Sequence, residues 1–417
     1  MRFDTISVIG LGYIGLPTAA MFASKNKKVI GVDVSQKTVD MINRGEIHIV
    51  EPKLDEVVRK VVEGGFLTAT LIPEPADVFL VAVPTPFNAD NSPDLSYIES
   101  ASKAISSVLK KGDLVILEST SPVGATEKMS GWLAGFRPDL SFPQHAGDES
   151  DIRIAHCPER VLPGKVMEEL ITNDRVIGGM TSKCAQAAVE LYKIFVESEC
   201  VVTNTRTAEM AKLTENSFRD VNIAFANELS MICDKLEINV WELISLTNRH
   251  PRVDVLQPGP GVGGHCIAVD PWFIVSSAPE QANLIRLARQ VNDSKPEWVI
   301  EKVKLEMVRF LQDNPEKTIK DVTVACYGLA FKADIDDLRE SPSLSIVKSL
   351  ASDHVGQVIA VEPNISELPK NMTRVSLSNL DFALANADVH LLLVDHKEFK
   401  DASCQSDFLI DTKGVWT

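Results

Sequence analysis

The residues that could carry covalent chemistry lie in a glycine-rich segment in the second half of the chain. It reads Gly259-Pro-Gly-Val-Gly-Gly-His-Cys266 and is followed closely by Asp270. A cysteine thiolate adds to an aldehyde to give a thiohemiacetal, which can lose a hydride and become a thioester. An enzyme that only interconverts an alcohol and a carbonyl needs no such nucleophile. Together with a redox cofactor, Cys266 therefore predicts oxidation of an alcohol through to a carboxylate, a four-electron change.

That cofactor is predicted at the N-terminus. Gly10, Gly12 and Gly15 form a Gly-x-Gly-x-x-Gly fingerprint between a predicted strand and a predicted helix. Such glycines let the backbone approach a pyrophosphate at the helix N-terminus, where N–H groups and the helix dipole favour negative charge. Asp33 ends the next predicted strand, and its carboxylate can accept from a ribose 2′-hydroxyl but would repel a 2′-phosphate. The pattern therefore predicts NAD rather than NADP.

Two further segments are predicted to lie beside the nicotinamide ring. Val83-Pro-Thr85-Pro86 and Glu118-Ser-Thr-Ser-Pro-Val-Gly124 each follow a predicted strand of the same region. Ligands of an open parallel sheet bind at the carboxyl ends of its strands, which favours this interpretation. Rigid proline-containing loops without a ligand are the alternative.

A third group of candidate residues lies on a long predicted helix. Lys212, Asn216 and Arg219 are spaced i, i+4 and i+7 and share one face. In a central, otherwise apolar helix, Lys212 could act as a proton shuttle or stabilise an oxyanion beside a thiolate. A solvent-exposed polar stripe is the alternative.

The charge balance argues against nucleic acid and anionic membranes as partners. The chain has 42 basic and 58 acidic residues, a net charge of −16 in 417 residues. A small anionic ligand is still compatible with local basic clusters, at residues 249–252 and in the loop that contains Lys332 and Arg339. Exposed charged loops without a ligand are the alternative for these clusters.

The cysteines and the hydropathy pattern predict an intracellular, cytoplasmic protein. The seven cysteines are scattered and form no Cys-x-x-Cys pair, so neither a disulfide framework nor a metal site is predicted. No apolar run approaches the ~18 residues of a membrane-spanning helix. Most cysteines are small packing residues. Cys266 differs because of its glycine-rich loop, its neighbour His265 and the nearby Asp270.

The elements that must position these residues alternate between strands and helices. Apolar runs at 5–9, 28–32, 78–83, 114–117, 176–178 and 201–203 predict a parallel sheet covered on both faces, within a domain of residues 1–200. Helical patterns over 207–236 and 279–311, the latter interrupted near Pro296, predict a central connecting and dimerisation region, 201–315. Runs at 322–327, 358–361, 389–394 and 408–410, with a helix after Pro342, predict a second, smaller sheet in residues 316–417. The predicted fold class is α/β, with two Rossmann-like, doubly wound parallel-sheet domains joined by a long-helix dimerisation region.

Six motifs occur in the order typical of one family. They are Gly10-x-Gly-Tyr-x-Gly-Leu-Pro, Val83-Pro-Thr-Pro, Ser119-Thr-x-Pro-Val-Gly, Pro158-Glu-Arg, Gly263-Gly-x-Cys and Gly328-Leu-Ala-Phe-Lys. The chain resembles the UDP-glucose/GDP-mannose dehydrogenase family over essentially its whole length. The resemblance implies an N-terminal NAD domain, a central region carrying Lys212 and Cys266 that forms a homodimer, and a C-terminal UDP-sugar-binding domain.

The resemblance also implies roles for individual residues. Cys266 would be the nucleophile, Lys212 the proton donor and acceptor that stabilises the oxyanion, and Glu159 and Asp270 would serve water activation and hydrolysis. NAD would be contacted by Gly10, Gly12, Tyr13, Ile14, Gly15, Asp33, Thr85, Thr126 and Arg339. The UDP-sugar would be contacted by Arg160, Val161, Lys212, Asn216, Arg219, His250, Arg252, Gly263, Phe331, Lys332 and Lys413, with Arg252 reaching in from the neighbouring subunit.

The resemblance further implies a sugar. Within the family the chain is most similar to the bacterial branch that oxidises UDP-N-acetyl-D-mannosamine at C6, to make a donor for surface polysaccharides such as enterobacterial common antigen. Family members that act on UDP-glucose have a lysine just before the aspartate that follows the cysteine, whereas this chain has Val269, and His265 precedes Cys266. This departure disfavours glucose.

Three other functions are also compatible with the sequence. One is oxidation of UDP-glucose or another UDP-hexose at C6. Another is a single-step NAD-dependent hydroxyacid dehydrogenase in which Cys266 is structural. A third is an NAD-sensing regulator without catalysis.

Overall fold

The structure is a computed structural model that describes residues 3–88, 90–162, 164–264 and 266–416. Its strands are β1 (Thr5–Ile9), β2 (Lys28–Val32), β3 (Leu67–Thr70), β4 (Val78–Val81), β5 (Leu114–Leu117), β6 (Arg153–His156), β7 (Arg175–Gly179), β8 (Cys200–Asn204), β9 (Thr323–Tyr327), β10 (Gln357–Val361), β11 (Val375–Leu377), β12 (Val389–Leu392) and β13 (Leu409–Asp411). Its helices are α1 (Gly15–Ser24), α2 (Gln36–Asn43), α3 (Leu54–Glu63), α4 (Ser96–Ser106), α5 (Ala125–Phe136), α6 (Pro143–Ala146), α7 (Val166–Thr172), α8 (Ser182–Tyr192), α9 (Thr205–Lys235), α10 (Val240–Thr247), α11 (Asp270–Ser277), α12 (Asn283–Asp313), α13 (Pro342–Asp353), α14 (Leu380–Asn386) and α15 (Lys397–Lys400).

By its internal contacts the chain divides into two compact units. The first unit comprises Met1–Glu215 and Trp272–Pro279, and the second comprises Asn216–Pro271 and Glu280–Thr417.

The first unit is built on an eight-stranded sheet in the order β3-β2-β1-β4-β5-β6-β7-β8. The first six strands are parallel and follow the order of a doubly wound dinucleotide-binding sheet, which confirms the predicted fold class. The prediction that all strands of this sheet are parallel is wrong at one place, because β7 runs antiparallel to β6. Apolar periodicity carries no information about strand direction. β8 pairs in parallel with β7, so these two strands both run against the other six.

The central strands of this sheet are buried on both faces. Val78 and Leu80 of β4 pack into one hydrophobic core, and Phe79 and Val81 pack into another on the opposite face. Burial on both faces explains why these strands read as continuous apolar runs in the sequence.

The second unit carries the predicted second sheet. Its five strands, in the order β11-β10-β9-β12-β13, are all parallel. The central strand β9 sends Val324 and Cys326 into one core, and Ala325 and Tyr327 into another. Its apolar residues thus also cover both faces of a doubly wound sheet.

The two long helices correspond to the predicted helical patterns. The predicted break in the second of them is wrong, because α12 runs unbroken from Asn283 to Asp313 with Pro296 inside it. Proline removes one helical hydrogen bond and crowds the carbonyl four residues earlier. Val299 and Val303, on the turns after Pro296, are fully buried in the core of the second unit, and this packing holds the helix together. Within the described residues, no helix is both long and apolar enough to cross a membrane.

Candidate active site

The glycine-rich turn after β1 leaves room for a ligand at one of its three glycines. Gly10 has a φ of +93°, and a Cβ there would lie 2.5 Å from the carbonyl oxygen of Ala82. A Cβ on Gly15 would collide with the carbonyl oxygen of Gly10. A Cβ on Gly12 would meet nothing within 4 Å. Gly10 and Gly15 are therefore required by packing, whereas Gly12 leaves open backbone beside the N-terminus of α1.

The rest of the predicted cofactor site surrounds this turn and fits NAD. α1 begins after Ile14 without a side-chain cap, so its first N–H groups can receive a phosphate. Asp33 follows β2 and accepts a hydrogen bond from the Leu11 N–H at 3.1 Å. Asp33 is half-buried and Tyr13 is exposed. The donors and the carboxylate needed for a pyrophosphate and a ribose hydroxyl thus come from one short stretch of chain.

The two proline-containing loops after β4 and β5 are tied together. The Thr85 hydroxyl donates to the carbonyl of Thr120 at 2.5 Å, and the Ser119 hydroxyl donates to the carbonyl of Val83 at 2.6 Å. These bonds fix both loops at the carboxyl edge of the sheet, where ligands of such sheets bind.

Thr126 and the loop before it are held by Glu209, a residue that sequence reasoning missed. Glu209 accepts from the Thr126 hydroxyl at 2.6 Å, from the Thr126 N–H at 2.8 Å and from the Gly124 N–H at 2.6 Å. Its position on α9, three residues before Lys212, was the available signal. Burial raises the pKa of Glu209, against these hydrogen bonds. Glu209 anchors the first turns of α9 to the N-terminus of α5.

The loop after β6 carries Glu159, Arg160 and Val161. Glu159 is buried, and its Oε2 forms an ion pair with Arg175 Nη1 at 2.8 Å. Arg160 pairs with Glu215 at 2.6 Å, and Val161 is half-buried.

The three predicted residues on α9 differ in burial. Lys212 is half-buried, Asn216 is buried and Arg219 is exposed. In the second unit, Asn216 Nδ2 donates to Asp270 Oδ2 at 2.5 Å. Asp270, the first residue of α11, is 3% exposed, so Asn216 and Asp270 form a buried polar pair.

Cys266 differs from the other cysteines in exposure. All seven cysteines lie in the described part of the chain, and only Cys266 among them is exposed. Its carbonyl accepts the N–H groups of Val269 and Asp270 at 3.1 and 2.9 Å, which places the thiol in the turn that leads into α11. His265 lies outside the described residues. Burial raises the pKa of Cys157 and Cys326 to about 12, so those thiols stay protonated.

Two of the sequence motifs pack against each other in the second unit. A Cβ on Gly263 would lie 2.5 Å from the Glu340 carbonyl oxygen and 2.8 Å from both Phe331 Cβ and Pro342 Cδ. A Cβ on Gly264, whose φ is +82°, would lie 3.1 Å from the Phe331 ring. The glycines before Cys266 are therefore needed for close packing against the loop after β9.

The remaining candidates in the second unit are mostly polar and accessible. Lys332, Arg339, His250 and Arg252 are exposed, and Arg339 forms an ion pair with Asp337 at 2.6 Å. A Cβ on Gly259 would lie 3.6 Å from Lys413 Nζ, so Lys413 is close to the cysteine segment.

A possible metal-binding group has its histidine already engaged. Asp334, His396 and Glu398 have ligand atoms within 4.8 Å of one another. His396 Nδ1 accepts the N–H of Asp334 at 2.9 Å, and Nε2 faces Glu362 Oε2 at 3.0 Å. With both ring nitrogens in use, we assign no ligand to this group.

The structure distributes the predicted residues between the two units as follows. The first unit holds Gly10, Gly12, Tyr13, Ile14, Gly15, Asp33, Thr85, Thr126, Glu159, Arg160, Val161 and Lys212. The second unit holds Asn216, Arg219, His250, Arg252, Gly263, Cys266, Asp270, Phe331, Lys332, Arg339 and Lys413.

Comparison with known proteins gives matches along almost the whole chain. Three domain models of the UDP-glucose/GDP-mannose dehydrogenase family match it: the NAD binding domain over residues 4–196, the central domain over 206–294 and the UDP binding domain over 325–417.

Individual relatives are similar over their full lengths. A UDP-N-acetyl-D-mannosamine dehydrogenase of Salmonella typhi is 66% identical over 421 residues, covering 100% of this chain and 100% of the relative. An NDP-N-acetyl-D-galactosaminuronic acid dehydrogenase of Ralstonia nicotianae is 62% identical, covering 100% and 97%. The solved structure of a UDP-D-ManNAc dehydrogenase from Pyrococcus horikoshii has a TM-score of 0.86 at 37% identity, covering 99% of this chain and 96% of that one.

Proposed function

The chain belongs to the UDP-glucose/GDP-mannose dehydrogenase family, and we propose that it oxidises the C6 hydroxyl of UDP-N-acetyl-D-mannosamine to the carboxylate, with two NAD per sugar. The observation that carries this proposal is the exposed Cys266 thiol in a chain 66% identical, end to end, to a relative named for that substrate. The product, UDP-N-acetyl-D-mannosaminuronate, would serve as a donor for surface polysaccharides of the enterobacterial common antigen type.

The proposed reaction balances as one alcohol, one water and two NAD giving one carboxylate, two NADH and three protons. Bound NAD supplies the hydride acceptor in both oxidation steps. Lys212 accepts the proton of the C6 hydroxyl, and the Cys266 thiolate adds to the resulting aldehyde carbon. The thiohemiacetal loses the second hydride to become a thioester, and water then cleaves it. Lys212 also stabilises the tetrahedral oxyanion, while Glu159 and Asp270 serve water activation.

The binding roles follow the same proposal. NAD is contacted by Gly10, Gly12, Tyr13, Ile14, Gly15, Asp33, Thr85, Thr126 and Arg339. The UDP-sugar is contacted by Arg160, Val161, Lys212, Asn216, Arg219, His250, Arg252, Gly263, Phe331, Lys332 and Lys413. The spans of the matching domain models support three domains, at 1–200, 201–315 and 316–417.

We also propose a homodimer that works in the cytoplasm. In the second unit, α9 exposes Phe218, Phe225 and Ile232 by 69%, 58% and 46%. Their seven-residue spacing forms one apolar stripe, which suits pairing with the same helix of a second copy. A reducing compartment protects an exposed catalytic thiol from oxidation, which supports the cytoplasm.

A second sugar is favoured by one specific observation. The 62% identical relative from Ralstonia is named for N-acetyl-D-galactosaminuronic acid. A galacto-configured UDP-N-acetylhexosamine is therefore the second candidate substrate.

Counting NADH per sugar tests the proposal. Purified protein is supplied with limiting UDP-N-acetyl-D-mannosamine, UDP-N-acetyl-D-galactosamine or UDP-glucose and excess NAD. We expect two NADH per UDP-N-acetyl-D-mannosamine, with slower turnover of the others. Cys266→Ser should bind NAD and UDP yet form no carboxylate, whereas Cys233→Ser, at a buried thiol, should turn over normally.

Other outcomes would point elsewhere. One NADH per sugar, with full activity in Cys266→Ser, would indicate a single-step dehydrogenase. No NADH from any nucleotide sugar would favour an NAD-sensing regulator.

A further inference from the structure

The antiparallel strand β7 brings an arginine to the ligand-binding edge of the first sheet. In the ladder between β6 and β7, His156 lies opposite Gly178. In an antiparallel pair, residue numbers rise along one strand as they fall along the other. Extending this register by three residues past His156 places Glu159 opposite Arg175. If β7 were parallel to β6, its first residue, Arg175, would lie at the opposite, amino-terminal edge of the sheet. The reversal of strand direction therefore brings Arg175 to the loop that follows β6.

Three consecutive residues, the last of which begins β7, clamp this loop. Arg175 Nη1 donates to Glu159 Oε2 at 2.8 Å, and Arg160 Nη1 donates to the carbonyl of Asp174 at 3.1 Å. Asn173 Nδ2 donates to the carbonyl of Arg160 at 3.1 Å. Glu159 Oε1 accepts the N–H of Arg160 at 2.8 Å. Both carboxylate oxygens of Glu159 are thus held, so the carboxylate has one orientation.

Stability does not explain this pair. The side chains of Arg175 and Glu159 are only 3% and 5% exposed. Desolvation of two buried charges offsets most of their attraction, and well-packed apolar residues in place of such a pair often stabilise a fold equally well. Arg175 is fixed in turn by Tyr192, whose ring centroid lies 5.0 Å from the guanidinium carbon and whose hydroxyl donates to Glu118 at 2.6 Å. What the ion pair adds is a defined direction for the Glu159 carboxylate.

We propose that Arg175 is a positioning residue for thioester hydrolysis, and that it holds the Glu159 carboxylate in the orientation that accepts a proton from the attacking water. This inference rests on the proposed function, in which a Cys266 thioester forms. The water oxygen bonds to the thioester carbon, and the carbon–sulfur bond breaks with its electron pair passing to Cys266 Sγ. One water proton goes to Glu159, and the products are the carboxylic acid and the thiolate. No oxidant is consumed in this step.

Arg175→Lys tests the proposal, because lysine keeps the charge but loses the planar fork of donors. With UDP-N-acetyl-D-mannosamine and NAD, we expect steady-state turnover to fall about 10²-fold. Single-turnover NADH formation should be unchanged, because both hydrides leave before hydrolysis. Mass spectrometry of acid-quenched protein should find the sugar as a thioester on Cys266. Hydroxylamine, which attacks thioesters without a general base, should restore turnover and release a hydroxamate.

Two further variants control for folding and for loss of an arginine. Arg153→Lys is the matched control, because Arg153 begins β6 at the opposite edge of the sheet, where it donates to the Ser150 carbonyl at 2.5 Å. This variant should keep normal turnover. Asn173→Ala loosens the same loop without leaving a buried charge unpaired, so it tests the clamp even if Arg175→Lys does not fold. It should give a smaller loss with the same hydroxylamine rescue.

A double-mutant comparison decides whether Arg175 acts through Glu159. In a Glu159→Gln background, Arg175→Lys should cause no additional loss of turnover. The proposal is overturned if the two losses multiply, or if Arg175→Lys or Asn173→Ala slows single-turnover NADH formation as much as steady-state turnover. Failure of the proposed function looks different, because the unsubstituted protein would then form no NADH, or only one NADH, per UDP-sugar.

Discussion

Glu118, at the end of β5, is a carboxyl buried among other ionisable groups. It is 1% exposed, and its Oε1 accepts from the Tyr192 hydroxyl at 2.6 Å. Burial, to which the charge of Glu159 adds, raises the pKa of Glu118 from 4.5 to about 7, against smaller opposing effects of Arg175 and Tyr192. The folded protein therefore holds a proton on Glu118 at pH values where the unfolded chain has lost it.

We predict that Glu118→Gln stabilises the protein at pH 8 but not at pH 4.5. Because the folded-state pKa is raised, the folded state binds more protons between pH 4.5 and about 7, so stability falls as pH rises through this range. Above it the cost reaches about 3 kcal/mol, and a neutral amide avoids this cost. Thermal unfolding should give the variant a higher Tm than the unsubstituted protein at pH 8 and a similar one at pH 4.5.

The Tm of the variant must be compared with that of the unsubstituted protein at each pH, because His156 changes stability with pH in the opposite direction to Glu118. Burial lowers the pKa of His156 from 6.5 to about 3, so its effect on stability is a loss as pH falls from 6.5 toward 3. The two groups offset each other between pH 4.5 and 6.5, and only the difference between variant and unsubstituted protein isolates Glu118. Glu301→Gln, on the exposed face of α12, should change Tm little at either pH. An equal gain at both pH values would contradict the prediction.

At this scale the sequence predicted the reactive residue types but not their partners. Cys266 stood out by its glycine-rich loop, and it is the exposed thiol. The partners of Glu159 and Thr126 lie 16 and 83 residues away, at Arg175 and Glu209. The first pairing depends on the direction of β7 and the second on how α9 packs, and neither leaves a local pattern in the sequence.

Among the elements, the buried central strands were predicted best. β1, β2 and β5 have the predicted bounds because each is a short apolar run buried on both faces. β3, β6 and β11 were not predicted: β3 is Leu-Thr-Ala-Thr, β6 begins with Arg153 and ends with His156, and β11 is Val-Ser-Leu. A short strand with polar residues at alternate positions or at its ends gives no continuous apolar run, so only pairing with neighbours identifies it.

Between elements, we predict that Gly263→Ala separates the cysteine segment from the loop after β9. The added methyl would lie 2.5 Å from the Glu340 carbonyl oxygen and 2.8 Å from Phe331 Cβ, so backbone must shift. Overpacking of this kind costs about 1–3 kcal/mol. Urea unfolding should show that loss, and turnover should fall with it because Cys266 moves. Gly259→Ala is the matched control, since its methyl would make an ordinary 3.6 Å contact with Lys413. Equal effects of both variants would mean that close packing at Gly263 is not the cause.

At the scale of the whole molecule, the two sheets repeat one local geometry. Gly10 and Gly328 have φ values of +93° and +92°, and their N–H groups donate at 2.8 Å to Val32 and Val361. An acidic residue follows the neighbouring strand in both, Asp33 after β2 and Glu362 after β10. The sequence indicated this repeat only as a second α/β half, because the two turns share few residues.

The two acidic residues nevertheless differ in what they can still bind. Asp33 is half-buried, whereas Glu362 is 4% exposed and accepts from the N–H groups of Leu329 and Ala330 at 2.7 and 3.1 Å. Burial alone would raise the pKa of Glu362, but hydrogen bonds from His396 and from the N–H groups of Leu329 and Asn364 lower it to about 2. Ala330 also occupies the position in the second turn that corresponds to Gly12 in the first, where the backbone is open. The second turn is thus occupied by the protein's own groups.

We therefore predict one NAD site per chain, in the first sheet. Calorimetric titration should give a stoichiometry of one, and Asp33→Ala should weaken binding at least about tenfold, because a charged hydrogen bond to the ribose contributes about 1.5–3 kcal/mol. Glu362→Gln is the matched substitution in the second sheet. It should lower the Tm, since it disrupts the contacts of His396, Leu329 and Ala330, while leaving the affinity for NAD unchanged. A stoichiometry of two, or a loss of NAD affinity in Glu362→Gln, would show that the repeated turn still binds a dinucleotide, and that its buried carboxylate exchanges internal partners for a ribose.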